Sequence, residues 1–237
     1  MDIIIAKMGS YLGAALAIGF GAIGAGIGEG IAAGKASESI SRQPKNSGNV
    51  LRMMLIGQAV SETAGIFALV IAFILLFQNG YGITDFVAYI SAGISIGVGA
   101  LAPGFGSGLP AAAACEGIGR DPKTFNDLTI TMLIGQAVTQ TPAIFAFLVS
   151  LLLILTKSAE VSFVHIFAII GAGIAMGFGA LGPGLGSGIV AESAVKWTAR
   201  RKENSKVIFR TMLLGQSVAQ STSIYSLLIA FVLILLT

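Results

Sequence analysis

Leu55–Phe67 reads LIGQAVSETAGIF, and one carboxylate, Glu62, stands near its centre. Between Leu55 and Phe77 it is the only charged residue, in a run otherwise dominated by Ile, Leu, Val, Ala and Phe. About 23 residues make a helix of roughly 35 Å, enough to cross a bilayer. A carboxylate near the middle of such a span costs several kcal/mol unless it is neutralised or paired, which marks Glu62 as a functional residue. The competing reading is a buried structural glutamate held by a neighbouring helix.

The composition agrees with a membrane setting. Of 237 residues 55% are hydrophobic and 11% charged, against about 25% charged in soluble domains. The single cysteine, Cys115, rules out an internal disulfide. The start, MDIIIAK, has no basic n-region or cleavage site, so it reads as the beginning of a helix rather than a signal peptide. Nothing points to a nucleic-acid partner.

The five-residue segment MLIGQ ending at Gln58 recurs at Gln136 and, as MLLGQ, at Gln216, with intervals of 136−58 = 78 and 216−136 = 80. A glycine-rich stretch repeats in step: GAIGAGIGEG (21–30), GALAPGFGSG (99–108) and GALGPGLGSG (179–188). Such a period points to an internally repeated architecture. Each copy is a glycine-rich apolar helix, a polar loop and a bulkier apolar helix, so the chain divides into hairpins at 1–79, 80–158 and 159–237. The expected spans are 3–41, 49–77, 84–119, 124–156, 161–199 and 204–236, an all-α membrane protein of six transmembrane helices.

Small residues at alternate positions, such as Gly13, Ala15, Ala17, Gly19 and Gly21, recur in every first helix. Each glycine disfavours a helix by roughly 0.8–1 kcal/mol relative to Ala, so their number demands a packing reason. Small residues let helix backbones approach closely in a membrane. The first helices are therefore expected on the inside of a tight ring, with Gly21, Gly99 and Gly179 as positions where Leu blocks assembly. The bulkier second helices form the lipid-facing shell. GFGAIG (19–24) and GPGLGSG (182–188) resemble nucleotide-binding loops only in their glycines; they lie inside apolar spans and lack a preceding strand, so helix packing explains them better.

Twelve of the 14 basic residues, from Lys35 and Arg42 to Arg210, fall on the hairpin-loop side, and only Lys7 and Lys157 on the other. The positive-inside rule then puts the loops in the cytoplasm and both termini outside. QNGYGITD (78–85) and TKSAEVS (156–162) read as short outer turns.

Glu29 and Glu62 are 33 residues apart, as are Ser107 and Gln140, and Ser187 and Gln220. In antiparallel hairpins these pairs lie at one depth. Gln58 sits one turn before Glu62 on the same face, and Thr63 follows it with a hydroxyl. The other hairpins keep Gln136 with Thr141 and Gln216 with Ser221 but replace the acid by an amide. Two facing carboxylates in low dielectric do not both ionise easily; one keeps its proton while the other holds a monovalent cation or exchanges a proton. Oxygen-only ligands suit Na⁺ or H⁺. With Thr63, Glu29 and Gln58 together, Na⁺ is the expected ion, because a protonated carboxyl needs fewer partners. Pro142 removes a helical hydrogen bond and frees the Val138 carbonyl as a ligand, or simply kinks the helix. His165, at a helix entrance on the outer side, reads as interfacial.

These residues resemble the c subunit of rotary F-type ATP synthases, repeated three times across essentially the whole chain. The resemblance is strongest in hairpin one, through GQAVSETAGIF (57–67) and the triplet Arg42-Gln43-Pro44. The triplet becomes Arg120-Asp121-Pro122 in hairpin two and Arg200-Arg201-Lys202 in hairpin three. The resemblance implies a concentric double-layered rotor ring of this chain, alone or mixed with single-hairpin c subunits. It implies a non-catalytic subunit in the bacterial plasma membrane, with Glu62 as ion carrier. Glu29, the Val60 carbonyl and the Thr63 hydroxyl follow as ligands, completed by Val138 and Thr141 or by Val218 and Ser221 of the next chain. Implied partners are a stator a subunit with its arginine, and central-stalk gamma and epsilon subunits meeting loop residues Arg42, Gln43, Pro44, Arg120 and Arg200. Gln140 and Gln220 stand where the family has its acid, so one hairpin in three carries an ion. The alternatives are a vacuolar- or archaeal-type ion-pumping proteolipid and a self-contained secondary transporter.

Overall fold

The computed structural model describes residues 1–156 and 162–235, and these are helical apart from short connections. Hairpin one is α1 (Asp2–Arg42) followed by α2 (Ser47–Ser61) and α3 (Thr63–Leu76); hairpin two is α4 (Gly82–Arg120), α5 (Phe125–Thr139) and α6 (Thr141–Leu155). Hairpin three is α7 (Phe163–Gly179), α8 (Leu181–Arg200) and α9 (Ser205–Leu235). Six spans long and apolar enough to cross a membrane result, close to the bounds expected from hydropathy. Lys157 and most of the second outer turn lie outside the described residues.

Single 3₁₀ turns, Pro44–Asn46, Pro122–Thr124 and Lys202–Asn204, close the hairpins at the same register in each repeat. Proline opens the first two, where its fixed φ and missing N–H cost nothing. Asp121 adds a side-chain acceptor for the Lys123 amide at 2.9 Å. On the opposite side the chain turns through Gly82, whose φ of +78° favours glycine. There Lys7 donates to the carbonyls of Leu76 and Gln78 at 2.9 and 3.2 Å, satisfying the end of α3.

The glycine-rich helices form an inner row: α1 packs along α4, and α4 along α7 and α8. The second helices form an outer row, each over the groove between its own inner helix and the next one. Thus α2 and α3 touch both α1 and α4, while α5 touches α4 and α8. Among the described residues, neither α1 nor α2 nor α3 makes an extended contact with α7, α8 or α9, so hairpin two lies between the others in an open row. Polar residues add cross-links within it. Ser95 donates to the Ala146 carbonyl at 3.2 Å and Ser150 to the Ala92 carbonyl at 2.8 Å. His165 is buried at 5% exposure, on the packed face of a first α7 turn whose Phe163, Val164 and Phe167 are 81%, 70% and 70% exposed; neither ring nitrogen has a hydrogen-bond partner among the described residues.

Which glycines face which neighbour was not readable from a helix small on nearly every side. A Cβ on Gly28 would meet the backbone of Gly104, and one on Gly108 that of Gly28. Gly106 and Gly188 repeat this contact between hairpins two and three. Gly21, Gly99 and Gly179 face Ala68, Ala146 and Ser226, on the outer helix of their own hairpin. Leucine there tests hairpin closure rather than contact between hairpins, which corrects the role expected for them. The better probe of the inner row is Gly104→Ala. Its Cβ would stand 2.6 Å from the Ala25 nitrogen, where only backbone could yield. Overpacking of this kind costs roughly 1–3 kcal/mol, so thermal unfolding in detergent is expected at a clearly lower temperature; an unchanged transition would contradict the close approach.

Candidate ion-binding site

The midplane of hairpins two and three is organised by pairs 33 residues apart. Gln140 Nε2 donates to Ser107 Oγ at 2.7 Å, and Gln220 Nε2 to Ser187 Oγ at 2.8 Å. Each amide also reaches back one hairpin: Gln140 Nε2 to the Val60 carbonyl at 3.0 Å, and Gln220 Nε2 to the Val138 carbonyl at 2.9 Å. Gln140 and Gln220 are 4% and 7% exposed. Ser107 Oγ lies 2.6 Å from the Pro103 carbonyl, to which it donates, so its lone pair is what meets Gln140.

A second tier lies one turn away. Gln136 Nε2 donates to the carbonyls of Ser107 (2.8 Å) and Gly57 (2.9 Å), and Gln216 Nε2 to those of Ser187 (3.1 Å) and Gly135 (2.9 Å). Gln58 keeps the intra-hairpin half, donating to the Glu29 carbonyl at 3.1 Å. Its amide is thus engaged in holding α1 against α2, in the same way as its counterparts.

In hairpin one the corresponding pair, 33 residues apart, is Glu29 and Glu62. Glu62 is exposed at the flank of the row, with no ion pair or side-chain hydrogen bond among the described residues. Val60 lies toward hairpin two. The Val60 carbonyl is already engaged by Gln140, and Thr63 Oγ1 donates to the Ala59 carbonyl at 3.4 Å. Val138, freed by Pro142, is likewise engaged by Gln220. At the other flank Val218 is 74% exposed, and its carbonyl, inside the unbroken helix, accepts a local bond from Ser221 Oγ at 2.8 Å. The helix is interrupted at Glu62 and Gln140, beside the two carbonyls that receive an amide, and α9 runs unbroken past Val218. The Val60 and Val138 carbonyls thus face forward to the next hairpin, and the Gln140 and Gln220 side chains reach backward to them.

A family model that describes the C subunit of ATP synthase matches three times, over residues 12–75, 90–153 and 170–233. The chain belongs to the ATP synthase C-subunit family. It is therefore a non-catalytic rotor subunit of a rotary ATP synthase or ATPase and a multi-pass membrane protein, of a family whose members form rings with one another and work with an a subunit. Among its relatives, the ATP synthase c subunit of Alkaliphilus oremlandii is 60% identical over 70 residues, 30% of this chain and 78% of that protein. The c subunit of Thermotoga maritima is 49% identical over 72 residues, 30% of this chain and 85% of that protein. The K subunit of the A-type ATP synthase of Methanocaldococcus jannaschii is 27% identical over 225 residues, 95% of each chain. The loop residues Arg42, Gln43 and Pro44 are exposed, as are Arg120 and Arg200. Arg42 and Arg120 pair with Glu38 and Glu116 on their own helices, and Arg200 stacks 5.4 Å from the Trp197 ring.

Proposed function

We propose that this rotor subunit carries one monovalent cation, Na⁺ in preference to H⁺, on Glu62, with Glu29 as its partner from the same hairpin. The observation that carries the reading is the twice-repeated reach of Gln140 and Gln220 to the carbonyl of the preceding hairpin. Continued by one step, it brings Glu62 to the Val218 carbonyl and Ser221 hydroxyl of the next chain in a ring. This favours Val218 and Ser221 over Val138 and Thr141 as the completing ligands. Val60 and Thr63 then serve the neighbouring Gln140 position, and Gln58 supports the site from one turn away.

A loaded Glu62 is neutral and can pass lipid, whereas a bare carboxylate facing the membrane is held back by desolvation, which ties rotation to occupancy. Release needs a facing cation from the a subunit. The exposed loops with Arg42, Gln43, Pro44, Arg120 and Arg200 suit cytoplasmic contact with gamma and epsilon in a bacterial plasma membrane, with both termini outside. With one acid-bearing hairpin in three, a ring of this chain alone moves a third of the ions of a single-hairpin ring of equal helix number. Fewer ions share the same ATP energy, which favours pumping against a steep gradient; single-hairpin partners would restore synthesis. The loop triplet and the 60% identity over 70 residues to the c subunit of Alkaliphilus oremlandii favour an F-type complex. The likeness to the A-type K subunit across the whole chain supports an archaeal-type ATP-driven pump as the second reading. The open row, with unpaired flanks at α1 and α9, speaks against a self-contained transporter.

Carbodiimide attack on Glu62 tests the ion. At alkaline pH, Na⁺ is expected to slow the reaction strongly at concentrations where K⁺ does not. A rate that follows pH alone and ignores Na⁺ would make this a proton carrier.

A further inference from the structure

We infer that the side-chain amides of Gln140 and Gln220 are built-in substitutes for the transported cation: the second and third ion sites are filled by the protein rather than merely lacking an acid. The inference rests on the reading of Glu62 as the ion carrier.

At Gln140 the lone pairs of two acceptors converge on one point, from the Val60 carbonyl at 3.0 Å and Ser107 Oγ at 2.7 Å. A carbonyl cannot donate, and the Ser107 proton is directed to Pro103. Whatever stands between these oxygens must present positive charge, as a metal cation, an acidic proton or an N–H group does. The amide Nε2 meets that requirement with two N–H bonds and no net charge. The arrangement recurs at Gln220, with Val138 at 2.9 Å and Ser187 at 2.8 Å. Its components come from the forward carbonyl of one hairpin and the backward side chain of the next, the combination proposed to hold the ion at Glu62.

Charge balance makes the exchange permissible. A carboxylate with its bound cation is neutral, and so is a glutamine. Both acids of a working hairpin, at the positions of Glu29 and Glu62, are replaced together in hairpins two and three by Ser and Gln. Neither replacement adds a charge that would need a counter-ion in low dielectric. The two amides bridge hairpins that would otherwise face one another with unpaired oxygens. They also let those hairpins pass the lipid and the stator without loading or releasing anything.

Gln140→Glu should therefore open a working site with one substitution, because its oxygen ligands already stand in place. The experiment uses the intact ring, carbodiimide and mass spectrometry, with wild type, Gln140→Glu and Gln220→Glu side by side. Wild type is expected to give one adduct per chain and each variant two. The second adduct should be suppressed by the same agent, Na⁺ or raised pH, that suppresses the first. Labelled Glu62 together with an unlabelled new carboxyl in assembled rings of both variants would overturn the inference while leaving the carrier role of Glu62 intact. So would a second adduct insensitive to both Na⁺ and pH, or failure of both variants to assemble. Absence of any adduct in wild type would instead defeat the carrier reading itself.

Discussion

Gly26→Leu is expected to abolish the ring while leaving the chain folded. Gly26 and Gly104 occupy the same position in successive repeats, but a Cβ on Gly104 meets the backbone of α1, whereas one on Gly26 meets nothing within 4 Å. Gly19 and Gly30 are open in the same way, and so is Gly182 on the far flank; Gly186 has only Ala219, at 3.8 Å. The counterparts of these glycines inside the chain are all packed against a neighbouring backbone, apart from the Ala102 that stands in register with Gly182. Two flanks that repeat the two halves of an internal contact make a head-to-tail interface, which closes on itself when its rotation divides the circle. Leucine at Gly26 replaces a poor helix former by a good one in the isolated chain, so helix content should not fall. At the interface it holds two backbones apart, and no flexible side chain stands ready to yield. Native mass spectrometry or particle imaging in mild detergent should find helical monomers in place of rings. Rings of normal size would refute the head-to-tail contact.

Glu62→Gln is expected to leave the ring assembled and abolish coupled ion transport. The amide at position 62 has a precedent in Gln140, and in the ring it would reach the Val218 carbonyl of the next chain as Gln140 reaches Val60 at 3.0 Å. With no other acid in the position-62 register of the chain, one substitution empties every site of a homomeric ring. ATP-driven Na⁺ uptake by vesicles containing the complex should fall to background. Residual transport at a sizeable fraction of wild type would mean that another residue carries the ion, or that acid-bearing single-hairpin subunits share the ring.

The spans were legible because a bilayer imposes length and apolarity on every helix alike, and the repeat was legible through Gln58, Gln136 and Gln216. The spacing of 33 also carried real geometry, since Ser107 with Gln140 and Ser187 with Gln220 are direct hydrogen-bond pairs. What the sequence left open was lateral. A backbone carbonyl such as that of Val60 has no signature of its own, and its amide partner is 80 residues away in the next hairpin. The role of Gln58 was obscured for a similar reason: its side chain serves a main-chain acceptor on α1. The Val138 carbonyl illustrates the same limit, because Pro142 announced that it would be free but not that Gln220 would take it. Inner-row glycines could not be assigned to faces, because small residues on nearly all sides erase the amphipathic pattern that normally points to a neighbour.

If one residue in the chain, Glu62, carries the ion, its carboxyl is the one that carbodiimide must find. The most direct test is to count and locate carbodiimide adducts on intact rings of this chain by mass spectrometry, with and without Na⁺. One adduct per chain is expected, on Glu62, lost when Na⁺ is present. An adduct on Glu29 with Glu62 unmodified, or no adduct at all in an assembled ring, would contradict the assignment.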